Sequence, residues 1–515
     1  MTTHPLILLA ANEMRLRLRR MSTLVAVLAV AAVTWAMIPE TSSGSALLVV
    51  NDARVLYTSS ALAIGSATMA SLLFSLAAFY LARGRTGEDL RSGIGGVIGD
   101  TPSGNALLVV SRWLGAVAWL VLLLGAFMLT TFACHLLRGD GPIQPLVYLQ
   151  TYALMLLPMA FFAASCAVLF DSWSPLMGKG GDLLYFCIWV AQMSVGAAME
   201  KDGGGVLALF DFTGLAHAIG GLRSQIDTTA FGIGMMTFDA ALPPIELKQW
   251  LWTGAMVRER LLCALVAVLP LLPAVALFHR FSPDRVKAGK ARRRRSPLAL
   301  LNGWLRPLAR AAQPLMRLGA RTQGLPGGVL ADAGLVLMTA PSAILAIALC
   351  LGAGLVLPAS ALPGLVAGAV AFWGILCSES ATRDIEAGCD ALSAVPDGAQ
   401  ARLLRQCGAA LLLGFLFTGS VLLRWSFTEP VRAFALVGGL VALSGCAVLF
   451  GMISRTPRLF LGLFLFGLYV AIQAKGIPMM DAVGFHGAAT VGSAATFLLA
   501  GMAALAAGLA WSRRD

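Results

Sequence analysis

The chain has 515 residues, of which 58% are hydrophobic and only 12% charged, with a formal net charge of +12. Soluble domains carry about a quarter charged residues, so this composition excludes a soluble protein and indicates a surface that lipid solvates. Excess Arg and Lys in a membrane protein gather in cytoplasmic loops beside anionic lipid. We therefore attribute the net charge to the membrane and expect no nucleic-acid partner.

Apolar stretches of about 17–25 residues, the length that crosses a bilayer as a helix, recur along the whole chain. Because lipid cannot hydrogen-bond a bare backbone, they predict an all-α polytopic membrane protein with about 12 transmembrane helices. An amphipathic helix, residues 1–21 with Glu13 in it, precedes the first span. The predicted spans are 22–38, 61–82, 113–134, 146–170, 183–199, 261–278, 342–357, 361–377, 406–423, 433–453, 459–474 and 491–511.

The densest basic stretch, residues 287–295, lies in the middle of the chain and divides the spans into two sets of six. We predict a first six-span half at 22–278 with an outer segment at 200–257, a basic cytoplasmic linker at 279–328, and a second half at 329–515. Within the linker, leucine recurs at helical spacing from Leu298 to Leu308 among arginines. This pattern predicts a helix that lies on the membrane surface.

The distribution of basic residues predicts the orientation. An N-terminus on the inside places most of the 38 Lys and Arg residues on one face of the membrane, so both termini are expected in the cytoplasm. Arg far outnumbers Lys, and Ala and Gly are abundant, which is typical of a GC-rich bacterial genome. The expected location is therefore the bacterial inner (cytoplasmic) membrane.

The two halves share short features in the same order. The sequence CAVLF occurs at 166–170 and again at 446–450, each at the cytoplasmic end of the fourth span of its half. Pro102 and Pro396 each follow a polar stretch between the second and third spans. Glu13 and Asp332 each precede the first span of a half. Internal repeats of this kind are common in transporter folds, where the substrate passes between the halves.

This order of features resembles the ABC-2 type permeases, the membrane subunits of type V ABC exporters, as two fused six-span units. The resemblance rests on an elbow helix with an acid (Glu13 and Asp332) and on an acidic loop between spans two and three that ends in a small-residue and proline motif. That loop reads GEDLRSGIGGVIGDTPSGNALLVVSRWLG in the first half and RDIEAGCDALSAVPDGAQARLLRQCG in the second. The long outer segment between spans five and six also fits the family.

The resemblance implies that these loops carry coupling helices, which dock on a separate ABC ATPase dimer. ATP and Mg²⁺ would then bind that partner, and this chain would be no enzyme and hold no cofactor; the P-loop pattern GxxxxGK[ST] is absent from it. Further expected partners are membrane lipids and a second permease chain or accessory subunit. The residues expected in the coupling loops are Glu88, Asp89, Arg91, Asp100, Pro102, Arg383, Asp384, Glu386, Asp390 and Pro396.

The second half departs from the family pattern. Its elbow lacks the arginines of the first, and its outer segment between spans eleven and twelve is only residues 475–490. We therefore interpret one half as structural, or the whole chain as an asymmetric pseudo-dimer.

The outer segment 200–257 mixes glycine, aromatic and acidic residues. We interpret it as an outer gate or as plain structure, because an active site would need paired carboxylates or a metal cluster and the histidines are dispersed. The candidate gate residues are Asp211, Phe212, His217, Trp250 and Trp252, the last two in an interfacial aromatic belt. Gln192 and Gln473, in spans five and eleven, are candidates for the substrate pathway or for helix packing.

Two other functions fit the sequence. A secondary transporter of the major facilitator type also has six plus six spans and a basic central loop. Such ion-coupled carriers usually keep an ionisable residue at mid-membrane, and the predicted spans contain no obvious one. The third hypothesis is a membrane-embedded transferase with Asp202, Asp211 and Asp227 as its candidate residues.

Overall fold

The computed structural model describes residues 5–19, 21–202, 205–226, 231–248, 252–278, 297–387, 389, 398–474 and 476–512. The chain forms two compact units, Met1–Arg294 and Arg295–Asp515. The division between them falls inside the linker predicted at 279–328. Asp227, Trp250, Asp390 and Pro396, named above as candidate residues, lie outside the described residues.

The first unit consists mainly of helices that follow the predicted spans. Three short 3-10 turns, Thr41–Ser43, Ser174–Leu176 and Gly205–Phe210, lie between them. Its helices are α1 Pro5–Leu18, α2 Met21–Met37, α3 Ser59–Ala82, α4 Arg85–Arg91, α5 Ile94–Gly99, α6 Asn105–Arg138, α7 Pro145–Ser172, α8 Lys179–Asp202, α9 Leu215–Gln225, α10 Gly254–Val266 and α11 Leu271–Leu277.

The second unit is also helical and contains two 3-10 turns, Arg306–Ala312 and Ala359–Ala361. Its helices are α12 Pro297–Trp304, α13 Gln313–Arg321, α14 Gly324–Thr339, α15 Pro341–Val356, α16 Leu362–Cys377, α17 Arg383–Glu386, α18 Gly398–Thr428, α19 Pro430–Ser454, α20 Arg458–Gln473 and α21 Val491–Trp511.

The prediction of a helical membrane protein is confirmed. Within the described residues, eight helices are long and apolar enough to cross a membrane, or up to ten if each of two bent pairs forms one span. Every predicted span coincides with a helix, except that 261–278 covers α10 and α11 and the turn between them, and the count of about 12 is not confirmed. Helix α8 begins with Lys179 and Asp182, and α20 has only 16 residues, fewer than the roughly 20 that a span needs.

The two bent pairs lie where the sequence predicts elbows. Helices α1 and α2 meet at 72°, and α14 and α15 meet at 103°. The second bend is at Ala340, directly before Pro341. A proline is tolerated in the first turn of a helix but disfavours a helical conformation in the residue before it, so α14 ends there and α15 starts in a new direction.

Within each unit, helices of corresponding order make similar packing contacts. In the first unit α1 and α2 pack on α6, α3 packs on α6 and α8, α6 packs on α7, and α7 packs on α10 and α11. In the second unit α14 and α15 pack on α18, α16 packs on α18 and α20, α18 packs on α19, and α19 packs on α21. One difference is that α3 packs along much of α7, whereas α16 and α19 touch only briefly.

A small sheet that the sequence did not predict covers one end of the first unit. Strands β1 Ser45–Val50, β2 Ala53–Arg54 and β3 Phe231–Thr237 are antiparallel in the order β2-β1-β3. Asn51 and Asp52 link β1 to β2 with φ of 48° and 62°, which is the positive-φ pair of a two-residue hairpin. Helix α3 starts just after this sheet and ends just before α4. We therefore name the two ends of the unit the sheet end and the α4 end.

Helix α1 crosses α6 closely at Gly115, where a Cβ atom would lie 2.6 Å from Cβ of Glu13. We expect Gly115→Ala to push the two helices apart and destabilise the first unit by about 1–3 kcal/mol. Thermal unfolding of the purified chain in detergent measures the loss. Gly125→Ala is the matched control on the same helix, because nothing lies within 4 Å of its added Cβ. An equal loss in both variants would contradict the close crossing.

Candidate functional site

Three segments of the first unit meet in an ion cluster at the α4 end, formed by Glu13, Arg85, Glu88, Asp89 and Arg112. Nε of Arg85 lies 3.1 Å from Oε2 of Glu13, and its Nη2 lies 3.0 Å from Oδ1 of Asp89 one turn later on α4. The other oxygen of Asp89 lies 2.6 Å from Nη2 of Arg112 on α6. Asp89 is almost completely buried, so two arginines hold one carboxylate between α1, α4 and α6.

A second buried arginine fixes the turn that leads into α4. Arg83 forms ion pairs with Asp182 of α8 and with Asp171 of α7, and its side chain is fully buried. The backbone N–H of Gly84 donates to Oδ2 of Asp171 over 2.7 Å. Gly84 has a φ of 101°, which residues with a side chain rarely adopt. The start of α4 is thereby tied to two further helices.

Helix α5, which follows α4, presents apolar side chains at the surface. Ile94 is 51% exposed and Val97 is 70% exposed. Asp100 and Pro102, both predicted coupling residues, follow on the same exposed segment. The α4 end therefore combines a rigid, ion-paired base with an exposed apolar and acidic surface.

The second unit contains a weaker counterpart of this cluster. Oδ2 of Asp332 on α14 accepts from Nε of Arg405 on α18 over 2.8 Å. Oδ2 of Asp384 accepts from Nε2 of Gln406 over 3.4 Å. Arg112 and Gln406 are separated by the same number of residues as Pro102 and Pro396, so they occupy equivalent positions of the repeat. A neutral amide therefore takes the place of the first unit's arginine.

The remaining predicted coupling residues lie in α4, in α17, or after α17 in the sequence. Arg383 is half-buried at the start of α17. The side chains of Arg91 and Glu386 lie outside the described part of the chain, as do Asp390 and Pro396.

At the sheet end, residues 205–225 form a helical hairpin whose tip is buried against α7. The hairpin comprises the 3-10 turn Gly205–Phe210, a turn at 211–214, and α9. Asp211 is 0% exposed, and its Oδ1 accepts from the Thr213 hydroxyl and the Gly214 N–H, each over 2.9 Å. An aspartate that bonds its own following backbone stabilises a tight turn. Gly214 completes the turn with a φ of 73°.

Arg260 of α10 joins the hairpin tip to an interrupted point of α7. Pro158 has no N–H, so the carbonyl of Leu154 lacks its helical partner. Nε of Arg260 donates to that carbonyl over 2.8 Å. The Arg260 guanidinium also donates to carbonyl groups of Met155, Asp211 and Phe212. Irregular backbone in a membrane protein is tolerated where protein groups satisfy it, and this arginine satisfies the carbonyl groups at the interruption of α7.

His217 of α9 lies between two carboxylates and completes a hairpin cluster with Asp211, Glu259 and Arg260. Its Nδ1 is 3.0 Å from Oδ2 of Asp211, and its Nε2 is 3.1 Å from Oε2 of Glu259. Both contacts are hydrogen bonds at once only if the ring or Glu259 carries an extra proton. The predicted spans contain no obvious ionisable residue, whereas the folded chain buries Asp211, His217 and Arg260 between α7, α9 and α10, with Glu259 at the edge of the cluster.

Charge on Asp211 stabilises the hairpin. Burial alone would raise the pKa of Asp211, but the hydrogen bond from His217 and the charge of Arg260 outweigh burial and lower it. Its charge therefore contributes stability that is present above the ordinary value of about 3.9 and is lost as the pH falls through the lowered pKa.

We expect Asp211→Asn to destabilise the chain at pH 7 by about 2–3 kcal/mol, because three hydrogen bonds lose a charged acceptor. The difference from the natural chain should shrink as the pH falls below about 4, since protonation then neutralises the natural residue as well. Thermal midpoints across pH measure this difference. Asp239→Asn, at an exposed turn, is the control. A difference that persists unchanged at pH 3 would contradict the role of the charge.

Other predicted gate residues have mainly packing contacts. The Phe212 ring stacks on Phe162 with centroids 4.0 Å apart. Trp252, predicted in an interfacial belt, is buried, and its Nε1 donates to Oγ1 of Thr151 over 3.2 Å. This contact joins the segment before α10 to α7. Trp250 is not among the described residues.

The two glutamines proposed for a pathway do not occupy equivalent places. Gln192 is half-buried in the middle of α8, whereas Gln473 is the exposed last residue of α20. Asp202 ends α8, and nothing of its side chain is described. In the described part of the chain, no group of three or more His, Cys, Asp or Glu residues could hold a metal ion.

Comparison with known proteins found no match. No protein-family model matches the chain, and no curated protein or solved structure matches it. Its function is therefore inferred from its own residues.

Proposed function

We propose that this chain is the transmembrane subunit of an ATP-driven exporter of the ABC-2 permease type, in the inner membrane of a bacterium. A separate ATPase dimer, which holds ATP and Mg²⁺, docks at the α4 end, and both termini lie in the cytoplasm. The observation that carries the proposal is the ion cluster of α1, α4 and α6, with its counterpart of Asp332, Arg405, Asp384 and Gln406 in the second unit.

The cluster suits a segment that transmits force. A push on α4 reaches α1 and α6 through Arg85, Asp89 and Arg112, and reaches α7 and α8 through Arg83. Removing one partner of a buried ion pair costs about 3–5 kcal/mol, so these links resist separation under load. Solvent-exposed pairs contribute about 0–1 kcal/mol and would yield first.

The exposed surface of α5 suits docking. Ile94 and Val97 offer apolar area, and Asp100 offers a negative charge beside it. Protein interfaces combine an apolar centre with a charged rim whose complementarity selects the partner.

Isolation of the tagged chain from its native membranes tests the proposal. We expect an ATPase with a P-loop to be recovered with it, and expect the ATPase to be lost when Val97 and Ile94 are both changed to Asp. Leu242→Asp, at an exposed position of the sheet end, should leave recovery unchanged. Recovery of the chain without any ATPase, together with transport driven by an ion gradient alone, would overturn the proposal.

The hairpin cluster favours a second candidate, an ion-coupled secondary transporter. Buried ionisable groups such as Asp211, His217 and Arg260 commonly mark proton pathways in carriers. Proteoliposomes that contain the purified chain alone distinguish the two functions. A carrier acidifies or alkalinises the lumen when substrate is added, whereas a permease without its ATPase does not.

A further inference from the structure

Residues 297–321 form a basic platform on the second unit. The platform comprises α12, the 3-10 turn Arg306–Ala312 and α13, which pack on α14 and α15. The sequence has no Asp or Glu from residue 285 to residue 331. Four arginines of the platform are exposed: Arg306, Arg310, Arg317 and Arg321. The platform is therefore cationic without acidic neighbours in its own sequence.

Close packing determines which face of the platform points outward. A Cβ on Gly319 of α13 would lie 3.0 Å from the carbonyl oxygen of Gly327, so α13 and α14 almost touch. Met316 packs equally closely over Gly334. At the other end, Oδ1 of Asn302 accepts from the backbone N–H of Ser342 over 3.0 Å. The platform is thus held against α14 and α15 and is not a loose arm.

The bend between α14 and α15 sets the level of the platform in a membrane. Helix α15 is apolar and exposes Leu349, Leu355 and Val356, as a lipid-facing helix does. Helix α14 runs at 103° to it. When α15 enters the bilayer along its normal, α14 therefore runs along the surface, and the platform packed on it lies at the depth of the headgroups.

The outward face joins large apolar side chains to the arginines. Trp304 is 80% exposed and Leu318 is 53% exposed, on the same platform as the exposed Arg317 and Arg321. Interfacial helices place Trp and Leu at the boundary of the acyl chains while Arg contacts phosphate. An anionic lipid offers acyl chains to Trp and Leu and a net negative charge to the arginines, whereas a zwitterionic lipid offers the acyl chains without the net charge.

We propose that the basic platform is a binding surface for anionic phospholipid headgroups, which anchors the second unit to the membrane surface. The proposal goes beyond the exporter function and does not depend on it. It commits to a lipid with a net negative charge, because the platform itself carries exposed arginines and no Asp or Glu.

Native mass spectrometry of the full chain, titrated with phosphatidylglycerol or phosphatidylcholine, tests the proposal. A basic residue near an anionic surface contributes about 1 kcal/mol, or roughly fivefold, so R310Q/R317Q/R321Q should weaken binding of the first phosphatidylglycerol about a hundredfold. K248Q/R258Q, at exposed positions of the first unit, should leave it unchanged. The charge-conserving R310K/R317K/R321K should bind nearly as tightly as the natural chain.

Salt and free phosphate provide readouts that need no variant. Added NaCl should weaken binding of phosphatidylglycerol to the natural chain and leave phosphatidylcholine unaffected. Millimolar inorganic phosphate should compete only weakly, because it lacks acyl chains for Trp304 and Leu318. Equal binding of both lipids, equal binding by the triple Gln variant, or complete displacement by inorganic phosphate would overturn the proposal.

Discussion

Replacing Arg260 with Leu should destabilise the first unit by about 3–5 kcal/mol, which is the largest loss that we expect from any single substitution in this chain. The change leaves Asp211 buried without its arginine and removes donors from the carbonyl groups of Leu154, Met155 and Phe212. Each buried carbonyl that loses its donor adds about 1–3 kcal/mol of desolvation cost, part of which relaxation recovers. Reversible unfolding in mixed detergent measures the free energy.

Two variants show whether the loss arises from the hydrogen-bond pattern. Arg260→Lys keeps the charge but cannot donate in the four directions of the guanidinium, so we expect it to recover less than half of the loss. Arg258→Leu, an exposed residue on the same helix, should change stability by less than about 0.5 kcal/mol. Equal losses of stability at positions 258 and 260 would contradict the conclusion that Arg260 joins the hairpin tip to α7.

Replacing Arg112 with Met should cost about 3 kcal/mol, because Asp89 would stay buried with only Arg85 beside it. If the α4 end couples an ATPase to the membrane helices, the complex of this variant with its ATPase should also hydrolyse ATP without moving substrate. A double-mutant cycle with Asp89→Leu isolates the pair. We expect the double variant to lose about 2 kcal/mol less than the sum of the two single losses, since the two side chains are in direct contact.

The second unit provides the matched control for this pair. Gln406 donates to Asp384 over 3.4 Å, and that contact carries only one charge. Gln406→Met should therefore cost only about 1–2 kcal/mol. Additive losses for Arg112 and Asp89, or a larger loss at Gln406, would contradict the idea that the first unit holds its loop more rigidly.

The helices of this fold could be predicted from the sequence because each one corresponds to a continuous apolar run. An apolar run of span length bounded by Gly, Pro or charged residues determines its own position, and the predicted spans coincide with α2, α3, α6 and the others. The number of spans differs from the prediction where the signal is weak. Helix α8 carries charges at both ends and α20 has only 16 residues, so neither has the length and composition of a span.

The sheet could not be predicted because its strands are distant in sequence. Strands β1 and β3 are separated by four long helices, and each is a short run that periodicity cannot assign. The Asn51–Asp52 pair was the one local signal, since both residues tolerate the positive φ of a tight hairpin.

The ion cluster and the hairpin cluster also depend on residues that are distant in sequence. Glu13, Asp89, Asp211 and His217 could be selected from sequence as polar residues in unusual places. Their partners could not, because Arg112, Glu259 and Arg260 read as ordinary charges near the edge of an apolar run. One usable signal for these partners is the run of three charged residues at 258–260, directly before a predicted span. A charge at the start of an apolar helix requires a buried partner, so this run indicates a buried ion pair.

Site-specific photocrosslinking at Val97 tests the central claim most directly. A benzophenone amino acid at this exposed α5 position, in the full chain in its native membranes, should join it on irradiation to an ATPase with a P-loop, identified by mass spectrometry. The same amino acid at Leu242, on the sheet end, should not. If neither position joins the chain to an ATPase while the chain still moves substrate after ATP depletion, the account of a permease driven at its α4 end is wrong.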